Sequence, residues 1–265
     1  MTAFVEIAGS PLLPDSGPAR IYYRDTGAGP PLVFLHGGWG YEVYPFDRQI
    51  DALSGKRRIL IPDRSGYGQS PRITSLLADF HPRAAIETAR FLDALDIERA
   101  VLWGHSDGAV IAALMGLATP DRFSGLILEA FHYTRAKAGS IDFFRAMISE
   151  PDTVGERAAA ALARDHGEDW RRVLERNATA WLEIVASGPG DLYKCKLSEL
   201  SVPALFLNGS RDPRTEPGDL EAIRRELPRA EVRIIEGAGH SPHSEPRAAD
   251  ECSSAAAAFL ERIGA

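Results

Sequence analysis

Gly104-His105-Ser106-Asp107-Gly108 follows the apolar run Ala100–Trp103 and precedes an alanine-rich stretch. A G-x-S-x-G pentapeptide between a strand and a helix drives the chain through a sharp turn that thrusts the serine hydroxyl outward. The flanking glycines are required because a Cβ there would clash across the turn. Ser106 is therefore the candidate nucleophile. A lone serine reacts poorly and needs a base, an acid to orient that base, and donors for the oxyanion. Asp212 follows the apolar run Ala204–Leu207 within Gly209-Ser-Arg-Asp212, and His240 follows Val232–Ile235 within Gly237-Ala-Gly239-His240. The glycine-rich loop His36-Gly37-Gly38-Trp39-Gly40 follows the apolar run Leu32–Leu35. Its backbone N–H groups can converge on a developing negative charge, with Gly38 the first choice and Trp39 the second; the other donor is the N–H of Asp107. This is the chemistry of acyl transfer.

The spacing of apolar residues supplies the elements that must hold these groups. Phe4–Ile7 and Arg20–Arg24 read as an antiparallel hairpin across a Pro/Ser/Gly turn region. Leu32–Leu35, Arg58–Ile61, Ala100–Trp103, Gly125–Leu128, Ala204–Leu207 and Val232–Ile235 read as six further strands, alternating with helical stretches. The pattern predicts an α/β fold with a mostly parallel eight-stranded sheet flanked by helices. Between the sixth strand and Val202 no strand signal appears, whereas 143–149, 156–163 and 170–184 carry helical spacing. An excursion this long usually serves a function. Residues 132–196 are read as a helical cap over the C-terminal edge of the sheet, inserted into a core of residues 1–131 and 197–265.

The motifs His36-Gly37-Gly38, Asp63-Arg-Ser-Gly66-Tyr-Gly68-Gln-Ser70, Gly104-His-Ser106-Asp-Gly108, Gly209-Ser-Arg-Asp212 and Gly239-His240-x-x-x-x-Glu245-Pro246 together resemble the α/β-hydrolase superfamily over essentially the whole chain. The order serine, acid, histidine is that of this superfamily and not of the chymotrypsin or subtilisin frameworks. Ser-Asp-Gly at the turn and the Asp212-Pro213 loop resemble the valacyclovir hydrolase and biphenyl-hydrolase-like group. That resemblance implies hydrolysis of a small-molecule ester, including an α-amino-acid ester or lactone, without a cofactor. Epoxide hydrolases and dehalogenases of this fold carry an aspartate where Ser106 stands. C–C bond hydrolysis of a vinylogous diketone uses the same triad, and a non-enzymatic receptor on the same fold is the alternative from another class.

Each residue also has a bland reading. Glu129, at the end of the sixth strand, is the rival acid, because some hydrolases place it there. His243 competes with His240 as base and otherwise serves as loop scaffolding. His240 and His243 together form an H-x-x-H without the accompanying carboxylates or cysteines of a metal site. Asp63 reads as a turn-forming carboxylate, His36 as a loop support and His105 as packing. Trp39 and Trp181 are equally balanced between core and substrate pocket. The Asp107 carboxylate either fixes the turn or binds a substrate ammonium.

The 265 residues carry a net charge of −7, which argues against nucleic acid and anionic membranes as partners. No apolar run approaches the ~20 residues of a membrane span, and no signal-peptide pattern opens the chain. Two cysteines, Cys195 and Cys252, form no disulfide framework. The expectation is a cytoplasmic, cofactor-free and metal-free enzyme, monomeric or homodimeric.

Overall fold

The computed structural model describes residues 1–13, 17–216 and 218–264. In chain order the elements are β1 (Thr2–Ile7), β2 (Ala19–Gly27), β3 (Pro31–Leu35), α1 (Asp47–Leu53), β4 (Arg58–Pro62), α2 (Phe80–Ala94), β5 (Ala100–His105) and α3 (Asp107–Ala118). There follow β6 (Phe123–Glu129), α4 (Ile141–Ser149), α5 (Glu156–His166), α6 (Trp170–Ala186), β7 (Ala204–Gly209), α7 (Asp219–Glu226), β8 (Glu231–Ile235) and α8 (Ala249–Arg262). All eight strands join one sheet in the order β1-β2-β4-β3-β5-β6-β7-β8. β1 and β2 form the expected hairpin, with Thr2 opposite Arg24 and Ile7 opposite Ala19. Part of its connecting turn region, residues 14–16, lies outside the described residues. β2 alone runs against the sheet; it pairs antiparallel with β4, and every contact from β4 to β8 is parallel.

Alternation along the strands divides the core into two layers, because successive side chains leave opposite faces of a sheet. Val33, Leu35, Leu60, Leu102 and Phe206 pack on one face with Phe91 of α2 and the alanines of α3. Leu32, Phe34, Ile59, Ile61, Val101, Trp103, Leu205 and Leu207 pack on the other, with Leu53 of α1 and Phe259 and Leu260 of α8. Burial on both faces explains why these runs read as continuous apolar stretches. α4, α5 and α6 occupy the strand-free stretch and have an apolar cluster of their own, in which Phe144, Leu162, Leu174 and Trp181 meet Ile73 and Phe80. None of the described helices is long and apolar enough to cross a membrane.

The β5–α3 junction is the tightest point of the fold. A Cβ on Gly104 would collide with the carbonyl of Gly108, and one on Gly108 with the carbonyl of Leu35 on the neighbouring strand. Both obstacles are backbone and cannot swing aside. Ala109, Ala112 and Ala113 are completely buried, so small side chains let α3 lie against the sheet. Gly108→Ala is expected to destabilise the protein by about 2–3 kcal/mol through overpacking, lowering Tm by about 5–10 °C for a chain of this size. A melt that matches the wild type would show that the turn has room to spare.

Candidate active site

Ser106 sits at φ 55° and ψ −118°, at the entrance to α3. A non-glycine residue at positive φ carries roughly 1–3 kcal/mol of strain and persists only where its surroundings enforce it. Here the Ser106 N–H donates to the carbonyl of Glu129 at 2.9 Å, while the Ser106 carbonyl accepts from the N–H of Ala109 at 2.9 Å. The turn is thus fixed to β6 on one side and to α3 on the other.

β5 lies between β3 and β6, and β7 and β8 follow outward. In a parallel sheet all their C-terminal loops open on one edge, where α/β folds gather their sites. The loops after β7 and β8 bring Asp212 and His240 to Ser106. His240 Nε2 is 3.1 Å from Ser106 Oγ, and His240 Nδ1 is 2.9 and 3.0 Å from the two oxygens of Asp212. A carboxylate at Nδ1 accepts the proton there and leaves the Nε2 lone pair for the serine hydroxyl. Asp212 also accepts from the Arg214 N–H at 2.9 Å and from Thr215 Oγ1 at 3.1 Å. Burial pushes its pKa up, but the charge and hydrogen bond of His240, with the help of Arg214, outweigh burial and hold it at about 2. The His240 pKa is lowered, first by burial and then by the charge of Arg214, against the opposing pull of Asp212.

The rival acid Glu129 is engaged elsewhere. It accepts from the His243 N–H at 3.0 Å, from His243 Nδ1 at 2.7 Å and from Trp103 Nε1 at 3.0 Å. Glu129 and His243 form a second carboxylate–imidazole pair, fully buried beneath the first. His105 turns away from the serine, with its Nε2 near the His240 carbonyl and Ser241 Oγ.

The glycine loop after β3 is held from below. The Arg64 N–H donates to His36 Nε2 at 3.2 Å, so the His36 proton is on Nδ1 and is donated to the Gly37 carbonyl at 2.8 Å. The Arg64 guanidinium donates to the carbonyls of both His36 and Gly37. Asp63 accepts from the Gln69 N–H and pairs with Arg24 at 2.8 Å. Gly37, Gly38, Trp39 and Asp107 line one cavity with Ser106 and His240. The N–H groups of Gly38, Trp39 and Asp107 have no acceptor among the described residues. A Cβ on Gly38 would lie 2.5 Å from Asn177 Oδ1, so glycine also lets α6 close over this loop.

The Asp107 side chain differs from the ammonium-binding reading. Its carboxylate accepts from His81 Nε2 at 3.1 Å, Trp181 Nε1 at 3.0 Å and Asn177 Nδ2 at 2.8 Å. Burial raises its pKa, but the hydrogen bond and charge of His81, then Arg64 and Asn177, bring the net shift below the ordinary value. A substrate ammonium would have to share or displace donors from α2 and α6, which the carboxylate already joins to α3. Trp181 is both core and cavity wall: it is buried, stacks on Phe144 at 5.6 Å and lines the cavity. Trp39 lines it too, stacked between Tyr44 and Phe143 at 5.9 Å each.

Beyond the wall residues Tyr44, Phe143, Phe144 and Asn177, two cavity residues near the triad escaped the sequence reading. His132 places Nε2 3.3 Å from Ser106 Oγ and stacks near His240, with ring centroids 5.8 Å apart. Burial lowers its pKa well below the usual value, so the ring is neutral. With the serine hydroxyl donating to His240, His132 Nε2–H donates to Oγ, and its Nδ1 is buried with no partner among the described residues. Arg214 is the second. The available signals were position alone: His132 follows the end of β6 by three residues, and Arg214 follows Asp212 by two.

Residues 32–251 match the model of the alpha/beta hydrolase family. The chain belongs to that family. A 2-hydroxy-6-oxononadienedioate/2-hydroxy-6-oxononatrienedioate hydrolase of Burkholderia vietnamiensis is 27% identical over 85% of this chain and 86% of that protein. A protein of Azorhizobium caulinodans assigned as a carbamate hydrolase is 34% identical over 42% of this chain, which spans 41% of that relative's length. Among solved structures, a thermophilic esterase from Thermogutta terrifontis, with malate bound, superposes with a TM-score of 0.69 at 24% identity, covering 98% of this chain and 99% of that one. Its fold is therefore shared. The relatives are hydrolases, and so is this protein.

Asp107→Ala would leave the three donors from His81, Asn177 and Trp181 buried without an acceptor. The expected loss is about 3–5 kcal/mol in urea denaturation at pH 7. Because the folded pKa lies below the ordinary 3.8, the carboxylate's stabilisation is complete above that value and fades only as pH falls through the depressed one. A variant as stable as wild type would remove the tether.

Proposed function

We propose that this hydrolase cleaves carboxylic esters through Ser106, His240 and Asp212, without a cofactor. The observation that carries the reading is the unbroken hydrogen-bonded line from Ser106 Oγ to His240 Nε2 and from His240 Nδ1 to Asp212. Ser106 attacks the carbonyl as His240 takes its proton; the tetrahedral oxyanion accepts from the N–H groups of Asp107 and of Gly38 or Trp39. His240 returns the proton to the leaving alcohol. A water, deprotonated by the same ring, then releases the acyl group and regenerates the serine. Asp212 holds the tautomer and stabilises the imidazolium throughout. The segment 132–196 acts as the cap, contributing Phe143, Phe144, Asn177 and Trp181 to the cavity wall. The unpaired Cys195 and Cys252 suit a reducing compartment such as the cytoplasm.

A second reading rests on the near full-length match to the oxononadienedioate hydrolase: water-dependent cleavage of a C–C bond next to a vinylogous ketone, by the same three residues. A substrate panel containing both an ester series and such a dienoate separates the two.

Fluorophosphonate labelling should fall on Ser106, and Ser106→Ala or His240→Ala should each lower kcat on a small ester by about 10⁴-fold or more, the double variant little further, since the residues act as a unit. Asp212→Asn should approach that loss, because the imidazole loses its tautomer partner. Glu129→Gln, compared per folded molecule, should retain far more activity. Full turnover by folded Ser106→Ala would end the proposal.

The pH profile follows from His240. Its pKa is lowered from 6.5, so the free base is already present at neutral pH, and protonation should switch off kcat/KM only below pH 6.5. An acid limb centred above pH 7 would contradict this base.

A further inference from the structure

Arg214 is the one arginine among the described residues lining the cavity beside Ser106, and no described carboxylate forms an ion pair with it. The other ionic side chains around the site have hydrogen-bonding partners among the described residues, Arg64 with the His36 and Gly37 carbonyls. Asp107 has three donors; Asp212 has His240, Thr215 and a backbone N–H; Lys137 has Asp219 at 3.1 Å; Arg24 has Asp63. The main chain of Arg214 is pinned at both ends, its N–H to Asp212 and its carbonyl to Lys137 Nζ at 3.0 Å. Its side chain lies over the rings of Phe143 at 4.0 Å and Trp39 at 5.5 Å, both cavity walls. Nε is buried and has no hydrogen-bond partner among the described residues. The charge of Arg214 is felt by Asp212, yet the Asp212 oxygens are directed to the triad and the adjoining turn.

A buried guanidinium donor without an acceptor is costly, and an aromatic bed offers attraction but no acceptor. We infer that Arg214 binds a carboxylate of the substrate, so that the ester this enzyme takes carries a second, anionic end. The assignment rests on the serine-hydrolase reading of the same site. Guanidinium and carboxylate match in planar, two-pronged geometry, and the aromatic rings beneath hold the fork in one plane. The sign is opposite to that of the α-amino ester implied by the family resemblance: Asp107 already has three donors, whereas the cavity charge without an ion pair among the described residues is positive. It also depresses the pKa values of His240 and His132, so an anion bound there raises the basicity of the catalytic ring as it arrives.

The test compares kcat/KM for monomethyl glutarate and monomethyl adipate with methyl valerate and methyl hexanoate, which match their length without the charge. Wild type should favour at least one half-ester by about 10- to 100-fold, the range a charge-assisted hydrogen bond supplies. Arg214→Met should cut that ratio at least tenfold, whatever happens to the absolute rates, and Arg214→Lys should keep part of it. Calorimetry with adipate, which needs no turnover, should show binding to wild type that Arg214→Met loses. Labelling of Ser106 and normal turnover of the neutral esters, with no preference for the half-esters and no adipate binding, overturns the anion site alone. A ratio unchanged in Arg214→Met overturns it as well. Arg214-dependent adipate binding without Ser106 labelling or ester turnover would instead remove the hydrolase reading and keep the anion site.

Discussion

The backbone turn at Ser106 carries positive φ in a residue with a side chain, and the surrounding architecture exists in a form that enforces it. Gly104 and Gly108 let β5, α3 and the end of β3 approach backbone to backbone. The hydrogen bond from the Ser106 N–H to Glu129 fixes the turn to β6. Glu129 in turn anchors His243 and Trp103, so the strain at one residue is balanced by a buried polar network on the far side of the sheet edge. Loosening any of these contacts would let Ser106 relax to an ordinary conformation and withdraw its hydroxyl from His240.

Asp107 extends the same logic upward. Directly after the strained residue, its carboxylate joins α3 to α2 through His81 and to α6 through Asn177 and Trp181. One charge in a dry environment, satisfied by three donors, locates the helical insertion over the turn with more directional force than apolar packing supplies. It also ties Asn177 to the face of Gly38, so the loop bearing the oxyanion donors, the nucleophile and the insertion share one support.

The cavity that results combines neutral imidazoles with one cation. His105, His132 and His240 all have lowered pKa values, each with burial as the largest cause, which keeps the rings uncharged beside the serine. The positive charge is concentrated instead on Arg214, at the aromatic wall formed by Trp39 and Phe143. The loop after β8 supplies the base, and the turn after β7 supplies both the acid and the guanidinium.

Much of this was legible in the sequence. The unbroken apolar runs Leu32–Leu35, Ala100–Trp103 and Ala204–Leu207 report a sheet buried on both faces. The glycines around Ser106 report a close backbone approach. The order of Ser106, Asp212 and His240 on successive strand ends reports which loops must meet, because strand direction and turn chemistry are local properties. The partners of single polar groups were not legible. Asp107 read as tether ahead of counter-ion, but its partners lay 70 and 74 residues away in Asn177 and Trp181. His132 and Arg214 carried no motif at all. Their roles follow from the packing of α4 and α6 over the sheet edge, and packing between distant elements, which sets the distances and desolvation on which a charge depends, is what only the tertiary structure decides.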